Sequence, residues 1–166
     1  MAIKIKKILV PLDGSKNSTR GLETAIHMAR ESHAEITGLY VVNLVKPKPN
    51  DQISPLEKLL LTHAQKIMKK AKLKAAKKGI LFFDRVSYGD EGKRIVEIAQ
   101  KNNFDLIVIG SRGMGAAKEL FLGSTSNYVL HKSKKPVLIA KWFVCSTQSC
   151  DWKLEFHFEL NMPFFN

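Results

Sequence analysis

The chain has 166 residues, 45% hydrophobic and 25% charged, the size and balance of one soluble globular domain with room for a sizeable core. No apolar run approaches the ~20 residues needed to cross a bilayer. Asp13 interrupts the short apolar run behind Lys4, Lys6 and Lys7, so the start does not read as a signal peptide and a cytoplasmic protein is expected. The net charge of +12 asks for a partner of opposite sign.

Residues 3–12, IKIKKILVPL, alternate and then become continuously apolar, the pattern of a strand entering the middle of a sheet. Pro11 has no N–H for a ladder bond and can end it. Asp13 then stands at the strand's carboxyl end, beyond which open α/β sheets bind their ligands. It also suits a turn with Gly14, or a helix cap alongside Ser15. A helix follows over 16–32, with Leu22, Ala25, Ile26 and Ala29 on one stripe. His27 and His33 have no partner at metal spacing and read as surface or helix-end residues. Residues 36–42, ITGLYVV, form the second strand, and 43–53, with two prolines, a loop able to fold over a ligand.

Ser54-Pro55-Leu56-Glu57 starts the next helix: Ser54 caps, Pro55 occupies the first turn and Glu57 completes a capping box. Leu56, Leu60, Ala64, Ile67, Ala71 and Ala75 are expected to line its buried face down to Gly79, with His63 packed beside them. Residues 80–87 are a third strand, and Gly89-Asp90-Glu91 turns into a helix with Ile95, Ile98 and Ala99 inward.

Residues 105–126, DLIVIGSRGMGAAKELFLGSTS, carry the strongest chemical signal. Leu106-Ile107-Val108-Ile109 has the character of a strand buried on both faces. A loop punctuated by Gly110, Gly113, Gly115 and Gly123 follows, glycines that can take φ > 0 and let backbone N–H groups approach a ligand. Ser124 stands at a helix start, where unpaired N–H groups and the positive dipole end coincide. Strand, glycine loop and helix start together describe a phosphate site. The string G-x-x-x-x-G-K-[ST] does not occur, and Lys118 stands where a G-x-G-x-x-G begun at Gly113 needs its third glycine. Val129 and Leu130 mark the inner side of the last helix, and 135–140 a fifth strand. This alternation calls for a parallel sheet covered on both faces.

From 142 to 166 the composition changes. Trp152, Leu154, Phe156, Phe158 and Leu160 alternate with polar residues, as an amphipathic strand would; three readings stay open for this tail, an extended dimer interface, an obstruction of it, or an artificial extension of the natural chain. Cys145 and Cys150, a lone C-x4-C, read as spare thiols. Much of the positive charge lies in Lys58, Lys66, Lys69, Lys70, Lys72, Lys74, Lys77 and Lys78, a basic face without interleaved aromatics. It reads as a solvated helix face, with no specific nucleic acid or membrane partner expected.

The pattern G-x2-G-x9-G-[ST], from Gly110, Gly113, Gly123 and Ser124, occurs together with Val10-Pro11-Leu12-Asp13-Gly14-Ser15. In that order the two resemble the universal stress protein family, in its ATP-binding type, over roughly residues 3–141. The resemblance implies an open five-stranded parallel sheet of order 3-2-1-4-5 with helices on both faces, Rossmann-like and of the adenine nucleotide alpha hydrolase kind. It implies a domain over 1–141, ATP as ligand with Mg²⁺ (or Mn²⁺), and a homodimer through the last strand. The site residues it implies are Pro11, Leu12, Asp13, Val41, Gly110, Arg112, Gly113, Gly123, Ser124 and Thr125. Amides of Gly113, Gly123 and Ser124, with the Ser124 and Thr125 hydroxyls, would hold the phosphates, and Arg112 and Lys118 would add charge. Asp13 would bind ribose hydroxyls or the metal, and Val41 the adenine through its main chain. The function implied is nucleotide-dependent regulation in the stress response, with no catalytic residue assigned. Two alternatives stand beside it: a slow ATP hydrolase, and an electrostatic binder of nucleic acid or membrane through the lysine-rich helix.

Overall fold

An apolar pentapeptide can be buried on both faces only in the middle of a sheet. Leu106–Gly110 is such a run, and all five of its residues are buried. The computed structural model describes residues 4–48, 52–113 and 122–141. Among them the elements alternate as β1 (Lys7–Pro11), α1 (Lys16–Ser32), β2 (Glu35–Val42), α2 (Pro55–Ala76), β3 (Phe82–Tyr88), α3 (Glu91–Lys101), β4 (Leu106–Gly110), α4 (Ser124–Lys132) and β5 (Val137–Ala140). The strands form one sheet in the order β3-β2-β1-β4-β5, with every neighbouring pair parallel.

Alternation along β1 divides the core. Ile8 and Val10 point to a layer closed by Leu22, Ala25 and Ala29 of α1 and Ala64, Met68, Ala71 and Ala75 of α2. Leu9 points to the opposite layer, closed by Ile95, Ile98 and Ala99 of α3 and Val129 and Leu130 of α4. Three helices start where a side chain caps them: Ser15 Oγ accepts from Ser18 N, Ser54 Oγ from Glu57 N, and Asp90 Oδ1 from Lys93 N.

Three expectations change. The buried stripe of α2 runs Glu57, Ala64, Met68, Ala71, Ala75, while Leu56 is 55% exposed. Those five positions share one helical row and Leu56 lies off it. Glu57 is buried, and its Oε1 accepts a 2.8 Å bond from the Tyr88 hydroxyl instead of turning back to the Ser54 amide. The third strand begins at Phe82, because the Ile80 amide is held by the Ala75 carbonyl at the end of α2. The amphipathic stretch near 152–160, the cysteine pair and the expected tail contact all lie outside the described residues.

The sheet order has one consequence for function. β1 and β4 are neighbours, with Ile8 opposite Leu106 and Leu9 opposite Ile107, so their carboxyl ends open side by side. Asp13 and the glycine loop emerge from those two ends.

Candidate functional site

After Pro11 the chain is still anchored to the sheet, because the Leu12 amide donates to the Leu39 carbonyl at 2.8 Å. Asp13 follows, half-buried, with Oδ1 accepting from the Ser15 amide at 2.9 Å. Gly14 turns the chain at φ +87°, a backbone state that costs a glycine little. A Cβ there would lie 2.8 Å from Ile67 Cδ1 and 3.6 Å from His63 Cε1, so α2 leans directly on this turn. One carboxylate oxygen therefore fixes the turn and the other, Oδ2, faces outward.

Oδ2 faces the glycine loop. A Cβ on Gly113 would stand 2.9 Å from it, so the first strand's carboxylate lies against the loop that leaves β4. The expectation that positive φ explains the motif glycines is corrected. Among the described residues only Gly14, Gly79 and Gly89 are glycines with positive φ. Gly110, Gly113 and Gly123 instead allow close approach. A Cβ on Gly110 would sit 2.5 Å from the Asn17 carbonyl oxygen and 3.0 Å from the Ser18 amide, where the start of α1 crosses β4. A Cβ on Gly123 would lie 3.2 Å from Arg112 Cα. Gly115 and Lys118 are outside the described residues.

The loop's own polar groups are partly engaged. The Gly123 amide donates to the Ser111 carbonyl at 2.8 Å, so it closes the loop rather than pointing at a ligand, contrary to its expected role. Ser126 Oγ donates to the Gly110 carbonyl at 2.8 Å. Thr125 Oγ1 donates to Glu91 Oε2 at 3.0 Å, so its hydroxyl is turned toward α3. Ser124, exposed, is the first residue of α4. The first amides of a helix have no acceptor within it, so the α4 start presents donors together with the positive dipole end. Arg112, half-buried, directly precedes Gly113. Val41, also half-buried near the end of β2, packs on the α3–α4 layer.

Three further residues look onto this end of the sheet. Tyr40 is 8% exposed, its hydroxyl 3.4 Å from His63 Nδ1 and the two rings edge-on with centroids 6.1 Å apart. Burial pushes the Tyr40 phenol above its ordinary value, and the negative charges of Glu91 and Asp13 add to that. Glu91 is thus a crevice residue as well as a helix opener. The signal that finds it is position: like Asp13, it sits just past a strand's carboxyl end. No group of three or more His, Cys, Asp or Glu able to hold a metal exists among the described residues, so Asp13 offers a cation one carboxylate.

The universal stress protein family model matches residues 4–141 of this chain. The chain is 34% identical to universal stress protein YxiE of Bacillus subtilis over 145 residues, covering 81% of this chain and 98% of that protein. Among solved structures, universal stress protein UspA from Lactobacillus plantarum superposes with a TM-score of 0.72 at 27% identity, over 83% of this chain and 99% of that one. A universal stress protein solved in complex with cAMP gives a TM-score of 0.69 at 25% identity, over 83% and 98% of the two chains.

Proposed function

Since the chain belongs to the universal stress protein family, we propose that it is an ATP-binding regulatory protein of the stress response, its nucleotide lying in the crevice between the ends of β1 and β4. The observation that carries this reading is the approach of Asp13 Oδ2 to Gly113, a gap that any side chain at 113 would fill. The cAMP complex of a related protein supports a nucleotide as the class of ligand.

The donors fit a polyphosphate. The Gly113 amide, the α4 start at Ser124 and Thr125, and the Ser124 hydroxyl would hold phosphate oxygens, with Arg112 supplying charge. Gly110 and Gly123 shape the walls rather than bind. Pro11 and Leu12 carry the chain to Asp13, whose outward oxygen would take ribose hydroxyls or a Mg²⁺ (or Mn²⁺) shared with the phosphates. The main chain at Val41 would meet the adenine. A homodimer through β5 and a cytoplasmic location complete the proposal.

Equilibrium dialysis tests it. Retention of ATP with Mg²⁺, weakened at least tenfold on Asp13→Asn, which keeps the oxygen that accepts from the Ser15 amide and with it the melting temperature, is the expected result. No retention of ATP, AMP, cAMP or adenosine by the unaltered protein overturns it.

A further inference from the structure

β5 ends the sheet and has one neighbour among the described strands, β4. The Pro136 and Ala140 carbonyls accept from the Ile107 and Ser111 amides, so every second residue, 136, 138 and 140, turns its backbone groups toward β4. That leaves the N–H and C=O of Val137 and Ile139 on the outer edge, where, among the described residues, no strand meets them. An uncovered edge of this kind is a template for a further strand. Its rim is apolar as well, since Ile139 packs on the α3–α4 layer and is still only half-buried. Lys132, Lys134 and Lys135 stand just before β5, and among the described residues no carboxylate pairs with their side chains.

The sequence beyond Lys141 has matching features. Its 25 residues hold seven of the chain's fourteen aromatic residues, apolar surface that calls for a cover. Trp152, Leu154, Phe156, Phe158 and Leu160 fall at every second position, the period of a strand with one apolar face. Between them lie Lys153, Glu155, His157 and Glu159, and an antiparallel return along β5 would carry Glu155 and Glu159 back toward Lys134 and Lys135. Ten residues, 142–151, separate that stretch from Lys141, enough for a return and short enough to hold it near. The opposite edge of the sheet, β3, lies four strands away, roughly 19 Å at about 4.8 Å per strand.

We propose that residues 152–160 pair with the outer edge of β5 as an antiparallel strand of the same chain, their apolar face extending the layer that Ile139 rims, and so compete with a second copy for that edge. The docking stands on β5 itself, while the competition rests on the β5 homodimer proposed above. Tethering favours the tail over the second copy. A short connector gives it an effective concentration in the millimolar range, whereas a second copy is present only at the concentration of the protein. A β5 homodimer needs both edges free, so a tail docked about 90% of the time raises the dimer dissociation constant about a hundredfold.

The test is amide hydrogen exchange on the full chain at low micromolar concentration, read by mass spectrometry on the peptide containing β5, with sedimentation velocity on the same samples. The unaltered chain should protect the Val137 and Ile139 amides while it sediments as a monomer. Phe156→Asp with Phe158→Asp strips the apolar face from a segment outside the five-stranded sheet, so the amides facing β4 should keep their protection. In the monomer of that variant Val137 and Ile139 should exchange freely, and dimer should appear at about a hundredfold lower concentration. Glu155→Lys with Glu159→Lys should weaken protection most at low salt. Free exchange of the two amides in the monomeric unaltered chain overturns the proposal. So does protection that appears only with the dimer, which gives the edge to the second copy, or protection that survives in the monomeric aspartate variant. Protection lost in that variant with no dimer at any concentration leaves the docked strand standing and overturns the homodimer reading instead.

Discussion

Gly110 and Gly113 belong to one sequence motif, and the structure gives them different work. In Gly110→Ala the new methyl group meets the Asn17 carbonyl oxygen at 2.5 Å and carbonyl carbon at 2.6 Å, and the Ser18 amide at 3.0 Å. All three are backbone atoms, held by α1 and unable to swing aside. Overpacking costs about 1–3 kcal/mol, and a clash with fixed main chain belongs at the upper end. At about 2–4 °C per kcal/mol for a chain of this length, the midpoint should fall by roughly 6–12 °C. In Gly113→Ala the methyl group meets, among the described residues, one group only, Asp13 Oδ2 at 2.9 Å, and Gly113 itself is exposed. Stability should hold within about 0.5 kcal/mol. ATP affinity should fall about tenfold, a loss of about 1.4 kcal/mol, because the oxygen facing the ligand is pushed away. Circular-dichroism melting and isothermal titration calorimetry read the two effects separately. A Gly110→Ala protein that melts like the parent, or a Gly113→Ala protein that binds ATP like the parent, refutes the division of labour.

Ser54→Ala removes the cap of α2 and should cost about 1 kcal/mol in urea unfolding, with ATP binding untouched. Tyr88→Phe strips the buried Glu57 carboxylate of its 2.8 Å donor and should cost more, about 1.5–3 kcal/mol, as a lower urea midpoint at unchanged slope. Both Tyr88, through its bond to Glu57, and Tyr40, through burial, have phenols raised above the ordinary value of 10.0. A raised folded value means stability present below pH 10.0 and lost as pH climbs through the folded values, so the urea midpoint should drop on the alkaline side and drop less in Tyr88→Phe. Glu91→Gln removes a negative charge beside Thr125, so ATP binding in EDTA should strengthen several-fold while binding with Mg²⁺ changes little; calorimetry with and without the metal decides it.

The alternation of strand and helix was legible because each element carries its own period and its own cap. Residues 16–32 match α1, and Leu22, Ala25, Ile26 and Ala29 are buried as their spacing requires. The juxtaposition of Asp13 with the glycine loop was legible only through the sheet order, since no local pattern tells β1 that β4 is its neighbour. The reason for each glycine was not legible. A glycine needed for φ > 0 and one needed for contact look identical in a sequence, and what presses on Gly110 comes from Asn17, far away in the chain. Glu57 illustrates the same limit. Its spacing from Ser54 fits a capping box, yet a tyrosine hydroxyl from β3 competes for the carboxylate and holds it. The Thr125 hydroxyl is likewise held by a partner, Glu91, that only the packing of α3 on α4 brings near.

A chain of net charge +12 has an obvious way to bind an anion, and the proposed crevice site would draw on little of it beyond Arg112. Asp13 and Glu91 bring negative charge to the carboxyl end of the sheet, while the lysines gather at the amino end and along α2. In the proposed site the donors would be mainly backbone amides, whose direction is set by the α4 start and the loop closure between Gly123 and Ser111, with Arg112 and the Ser124 hydroxyl beside them. Fixed amides select an anion by shape and direction, whereas mobile lysines attract any anion nearby. In that reading the two carboxylates, Asp13 and Glu91, would sharpen the selection, because they repel a bare polyanion and admit one that arrives with a cation.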